Sequence, residues 1–446
     1  MTNPSTFESI VFRLRQQGLR YWIWVAVIIL VSATGSGYVY EYLDLIDARS
    51  RLFQILLDLG PRPPEPKYVK TVLIEDDEYW LGEPAGRRPI KRDYLGKLVG
   101  NLVDAGAYVI ALDFDLRTPD PNSAQIPKDY QKETRDLVES IVMAAAKGRK
   151  IVLATPIVDD GKGQFWRDAD PYQAYGLCRT DGENIPNAEQ IGPGLVQGIK
   201  DNRKNITCGY IYLPDDPLVI PSRIKLADNT ELDSFALAIA KAGWPDMASV
   251  QGFGSNIRYG NYISEAKLRD PKVAALFSAT AVMGKGKKEA IDAVKTALSV
   301  RPTAVIVGAN WSTYAINRGP PADWHKTPVG PIVGALLHAN FVEAILDSRL
   351  YGFVSERMLQ ATEIAFSIIV AVALALAATV GEKILYFLAC CLLLLIIQWA
   401  ALHGFAVFFD AYVPLLGLGL HSILERLFGV HKGSAGHLSE KLQANQ

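Results

Sequence analysis

YVKTVLIEDDE (Tyr68–Glu78) and, shortly after it, RRPIKRDYLGKLVGNLVDAGAYVIALDFDL (Arg87–Leu116) decide the fold. Each carries a short run of branched apolar residues that ends at carboxylates, Glu75–Glu78 in the first and Asp113 and Asp115 in the second. Between the two runs, Arg92–Ala105 repeats apolar residues at helical spacing. Strands without a polar face, joined by an amphipathic helix, describe a βαβ unit whose sheet is buried on both sides. The alternation continues outward. A helix is predicted over about Lys128–Lys147 and a strand over Lys150–Val158, with later strands at Ile206–Pro214 and Thr303–Asn310. Further helices are predicted over Leu232–Ala242 and Gly334–Leu346. The fold class expected is α/β, a largely parallel sheet flanked by helices. Asp159–Lys204, rich in Gly, Pro, Asp and Asn, reads as an irregular excursion.

This polar middle is framed by apolar stretches at Tyr21–Tyr40, Ala361–Val380, Ile384–Leu402 and Ala411–Phe428. About 20 apolar residues in a helix cross a bilayer, so four transmembrane helices are expected. Arg13, Arg15 and Arg20 precede the first span; Arg426, Lys432 and Lys441 lie at or beyond the end of the last. Basic flanks mark the cytoplasmic side, which makes the middle extracytoplasmic. The expected organisation is a cytoplasmic N-terminus (1–20), an anchor (21–40) and an extracytoplasmic domain (41–356). A three-helix membrane bundle (361–428) and a short cytoplasmic tail (429–446) follow. Two readings of the first span stand, an uncleaved anchor and a cleaved signal peptide. The amphipathic stretch Glu41–Gly60 continues it and stops at Gly60-Pro61.

A net charge of −1 with no basic stripe excludes a nucleic-acid partner. Cys390 and Cys391 lie inside an apolar stretch, whereas Cys178 and Cys208 lie in the middle domain. Either the latter two pair, closing a loop of about 30 residues for roughly 3–4 kcal/mol, or they are buried thiols.

Several segments together resemble a known family: LIDARSR (Leu45–Arg51), VLIEDDE (Val72–Glu78), the Arg87–Leu116 run, and DWHKTPVGPIVGALLHANFVEAIL (Asp323–Leu346) ahead of closely spaced apolar helices. They are similar to the type-two CHASE domain, the cyclase/histidine-kinase-associated sensory extracellular module. The resemblance spans roughly residues 40–425. It implies a sensor in a bacterial inner membrane, with its large domain in the periplasm or outside the cell. In that family the last helices lead into a cytoplasmic output domain. Here about 18 residues follow Phe428, so the resemblance implies an output protein (cyclase, kinase or regulator) on another chain. The rival expectation is a structural component of a larger membrane complex. A homo-oligomer fits either.

Ligands of open α/β sheets bind beyond the carboxyl ends of the strands. That rule selects Asp76, Asp113 and Asp115 at strand ends, Arg88 and Arg92 at the start of the intervening helix, and His325 downstream. If the two acidic strands are neighbours, their carboxylates converge on a small polar ligand or a divalent cation. The competing reading has Asp113 paired with Arg92 or capping a helix. His325 and His338 lack a third ligand at metal spacing, so no metal is expected. No nucleophile elbow, metalloprotease helix or phosphate loop is present, so no catalytic residue is named and the chain is not expected to be an enzyme. The cofactor is unknown.

Overall fold

The computed structural model describes residues 46–60, 65–116, 128–159, 192–213, 219–248, 265–327, 330–352 and 356–407 with few breaks. It adds isolated residues between 14 and 30, residue 177, and the segments 165–167 and 255–258. Two compact units result: Pro61–Tyr351, and a smaller one built from Met1–Gly60 with Gly352–Gln446.

The larger unit is organised by a six-stranded sheet. Its strands are β1 (Val69–Glu75), β2 (Val109–Leu112), β3 (Lys150–Thr155), β4 (Ile206–Tyr210), β5 (Leu276–Ser278) and β6 (Ala304–Asn310). The order is β5-β1-β6-β2-β3-β4, and every pairing is parallel. Val307 of β6 stands opposite Val72 of β1 on one side and Leu112 of β2 on the other. The two acidic strands are therefore not neighbours: β6, arriving from far down the chain, separates them.

Strand alternation builds two cores. Val72, Ile74, Ile110, Leu112, Ile151, Leu153, Val305 and Val307 point to one face. There they meet α2 (Arg92–Asp104) and α3 (Tyr130–Ala146), which follow the short helix α1 (Asp76–Leu81). The intervening Leu73, Ala111, Val152 and Ile306 are equally buried, and helices α4 (Phe235–Gly243) and α6 (Gly334–Leu346) cover that face. Helix α5 (Lys288–Ser299) packs Val294 and Leu298 into the first core. Burial of both faces is why these strands carry no polar alternation.

Two polar clamps fix the helices. The first residue of α2 has no side-chain cap of its own; Glu133 of α3 accepts from the Arg92 N–H at 3.3 Å and pairs with Arg87. Glu343 of α6 accepts from the N–H groups of Tyr68 and Val69 at 2.7 and 2.8 Å, so a helix carboxylate closes the amino end of β1. Pro193–Asn202 is a helix with Pro in its first turn, where an irregular excursion was expected; its one buried residue, Ile199, gives little periodicity to read.

In the smaller unit, Val380–Phe405 is a 26-residue helix, and Gly381–Phe405 is long and apolar enough to cross a membrane. It is the one such helix among the described residues; Gln360–Leu376, within Glu356–Leu376, is apolar but shorter. Cys390, Leu394, Gln398 and Leu402 line its buried side, four residues apart, while Leu385, Leu388, Leu392 and Ile396 are exposed. Val25 packs with Phe366, Val370, Leu374 and Leu394, so part of the first expected span joins this cluster. Most of that span, and all of the fourth (411–428), lie outside the described residues. His403 Nε2 lies 2.9 Å from the Leu56 carbonyl oxygen. Cys390 and Cys391 are free thiols.

Candidate functional site

The chain leaves β2 toward α3 on one face of the sheet, whereas it leaves β6 toward α6 on the other. Adjacent strands whose chains depart to opposite faces leave a crevice between them, where α/β sheets bind ligands.

Asp113 directly follows β2, with its N–H donating to the Val307 carbonyl at 2.9 Å. Its Oδ2 is fully buried and has no hydrogen-bond partner. A Cβ built on Gly308 would lie 3.7 Å from that oxygen and would collide with Ala335 at the start of α6, which places the carboxyl on the α6 side. Gly308 thus lets strand, helix and carboxyl approach. Gly308→Val is expected to cost about 3 kcal/mol by overpacking, read as a lowered urea midpoint; an unchanged midpoint contradicts this packing.

After β6 the chain returns as a hairpin, β7 (Trp324–Thr327) and β8 (Gly330–Val333), that runs straight into α6. The Asp323 carbonyl accepts from the Gly334 N–H at 2.9 Å. Its carboxylate lies where a side chain at Gly334 would stand, against the positive end of the 13-residue helix. His325 Nε2 is 3.1 Å from Asp323 Oδ1. One helical turn beyond Gly334, His338 is 3% exposed, stacked edge-on against Phe235, and its Nδ1 is buried without a partner.

Asp113, Asp323, His325 and His338 form one electrostatic neighbourhood. Burial, then the Asp323 charge, raises the Asp113 carboxyl well above its ordinary value. Burial lowers His338 to about 4; Asp323 opposes that shift and His325 adds to it. At neutral pH the His338 imidazole is therefore uncharged, and the Asp113 carboxyl holds its proton more tightly than an ordinary aspartate. Asp323 and His325 remain partly open to solvent at the mouth of the site.

The other expected ligands are placed elsewhere. Asp76 is occupied: it accepts from Ser312 N–H and Oγ at 2.6 and 2.7 Å and from Asn317 N–H at 3.0 Å. Burial would raise its carboxyl, but these bonds hold it below the usual value. It pins the loop after β6. Arg92 is 1% exposed, donates to Thr134 Oγ1 at 3.0 Å and lies 4.5 Å over the Tyr130 ring; its task is structural, and Asp113 is not its partner. Arg88 is exposed beside Tyr79. Asp115 is exposed while Asp113 is half-buried with its Oδ2 inside, because β2 ends at Leu112 and the two residues no longer share a strand face. Cys208 is disulfide-bonded, and Cys178 lies outside the described residues. Among the described residues no group of three or more His, Cys, Asp or Glu could hold a metal ion.

Against known families, the CHASE2 domain matches residues 23–380. The chain belongs to the CHASE2 family. CHASE2 is a sensory extracellular domain, and the apolar helix Gly381–Phe405 fits a membrane anchor for it. No curated protein and no solved structure matches the chain.

Proposed function

We propose that this CHASE2 chain is a membrane-anchored receptor subunit that binds a small polar ligand at the crevice beside β6 and acts without turnover. Asp113, Asp323, His325 and His338 form the ligand site. The chain lies in a bacterial inner membrane with the larger unit on the periplasmic side, and its signal passes to a separately encoded cyclase, kinase or regulator. The observation that carries this reading is the Asp113 carboxyl, whose buried Oδ2 has no partner at the position where α/β sheets bind ligands.

Connectivity supports a route outward. His338 belongs to α6, and the chain continues from α6 through Leu350–Gly352 into the apolar helix Glu356–Leu376. A ligand shifts such a device only by the difference between its affinities for the two states. Contacts to α6 that exist in one state alone would supply that difference.

The test is crosslinked purification of the tagged chain from its native membrane, with co-purifying proteins identified by mass spectrometry. A cyclase, kinase or regulator is expected. Recovery of a structural envelope complex, or of this chain alone, would replace the receptor reading with an assembly role.

A further inference from the structure

We infer that the ligand taken at this site carries a protonated amine, seated among Asp113, Asp323 and His338. This rests on the reading of the crevice beside β6 as the binding site, and it adds the ligand's chemical class.

The first argument is charge. The groups acting on Asp113 are its own burial and the negative charge of Asp323. No lysine or arginine among the described residues compensates the two carboxyl groups. A buried carboxyl facing another is the arrangement that a ligand cation relieves, since an opposite charge nearby favours the ionised form. The helix dipole at Gly334 offsets part of the Asp323 charge and leaves Asp113 without a partner.

The second argument is hydrogen bonding, and it is independent of the carboxyl groups. His338 is uncharged and nearly fully buried, and its Nδ1 makes no hydrogen bond. Its imidazole lies within reach of the charges of both Asp323 and His325. Buried polar atoms in folded proteins are almost always satisfied, so a bare ring nitrogen near Asp323 indicates an absent partner, and in the tautomer with the proton on Nε2 that partner is a donor. A primary ammonium offers three N–H donors, matching Asp113 Oδ2, an oxygen of Asp323 and His338 Nδ1.

The third argument separates an amine from a metal. No three of the described carboxyl and imidazole groups could hold a metal ion. Calcium needs oxygens at about 2.3–2.6 Å, whereas charge-assisted N–H···O bonds run to about 2.7–2.9 Å. An ammonium therefore needs its acceptors somewhat less closely drawn together than calcium does. The mouth at Asp323 and His325, partly exposed, admits the amine while the rest of the ligand projects toward solvent.

The experiment is thermal unfolding of the full chain in detergent with methylammonium chloride, against tetramethylammonium chloride at equal ionic strength and against glycerol. Methylammonium is expected to raise the midpoint more than tetramethylammonium, which has no N–H. Asp113→Asn is expected to weaken methylammonium binding at least about tenfold, the loss of one charge-assisted hydrogen bond. Asp323→Asn, at the partly exposed mouth, provides a second variant should the first fail to fold, with the same expected loss. Equal shifts from the two ammonium salts would overturn the amine assignment. Glycerol protection that depends on Asp113 would also overturn it while leaving the binding site in place. If folded Asp113→Asn and Asp323→Asn respond to every probe as the parent does, the amine and the site both fall.

Discussion

In urea unfolding of Pro61–Tyr351 between pH 4 and 6.5, Asp113→Asn is expected to lose stability with acid more steeply than the parent, approaching the roughly 3 kcal/mol that the His338 shift supplies. The reason is that two groups titrate in opposite senses. His338 titrates at 6.5 in the unfolded chain and at about 4 in the fold. As pH drops through that window the unfolded state gains a proton that the native state refuses, so stability is lost. Asp113 behaves in the opposite sense. Burial and Asp323 raise its carboxyl above the unfolded value of 3.8, so the native state keeps a proton that the unfolded chain has already released. Its contribution is greatest at low pH and declines as pH rises toward the folded value, by about 1.4 kcal/mol per pH unit. Wherever Asp113 still holds its proton in the fold, its slope opposes that of His338. Asp113→Asn leaves the His338 slope exposed. His338→Gln leaves the Asp113 slope, with stability falling as pH rises. If both variants keep the parent's pH profile, these residues do not titrate as described.

Arg92→Ala is expected to destabilise the same unit by about 3 kcal/mol or more, because Arg92 is among its largest fully buried side chains. The substitution removes a cation over the Tyr130 ring, a bond to Thr134, and the packing of the side-chain stem. It also opens a cavity between α2 and α3. Arg92→Met refills much of that volume and is expected to recover about half the loss, which separates packing from charge. Arg92→Lys keeps the charge but not the planar fork that spans ring and hydroxyl. Urea midpoints of the three variants give the comparison; near-parental stability in all of them would mean that Arg92 does not hold the two helices together.

The parts of the fold that could be read from sequence are those whose periodicity is local. β1, β2, β3 and β6 appear as branched apolar runs because both faces of the sheet are buried, and α6 reads directly from its apolar spacing. Leu276–Ser278 did not stand out, since a three-residue strand carries no periodicity. The strand order was equally hidden: nothing near Val69 indicates that Ala304 pairs with it. The same limit governed the site. Asp113 and His325 were visible as candidates, whereas Asp76, Arg88, Arg92 and Asp115 shared their chemistry but not their location. His338 showed only as a histidine without metal partners. Its role depends on the hairpin that carries Asp323 back onto Gly334, a contact set by tertiary folding.

The position of β6 has a kinetic consequence. β1 and β2 are made early yet never touch each other; the strand that joins them begins at Ala304, after most of the unit has been synthesised. Closing such distant pairings carries a large loop-entropy cost before any contact repays it, which slows folding. A chain emerging segment by segment therefore holds two exposed strand edges open until its last third arrives. A partial chain leaves the sheet incomplete, and it needs protection from aggregation until that strand slots in.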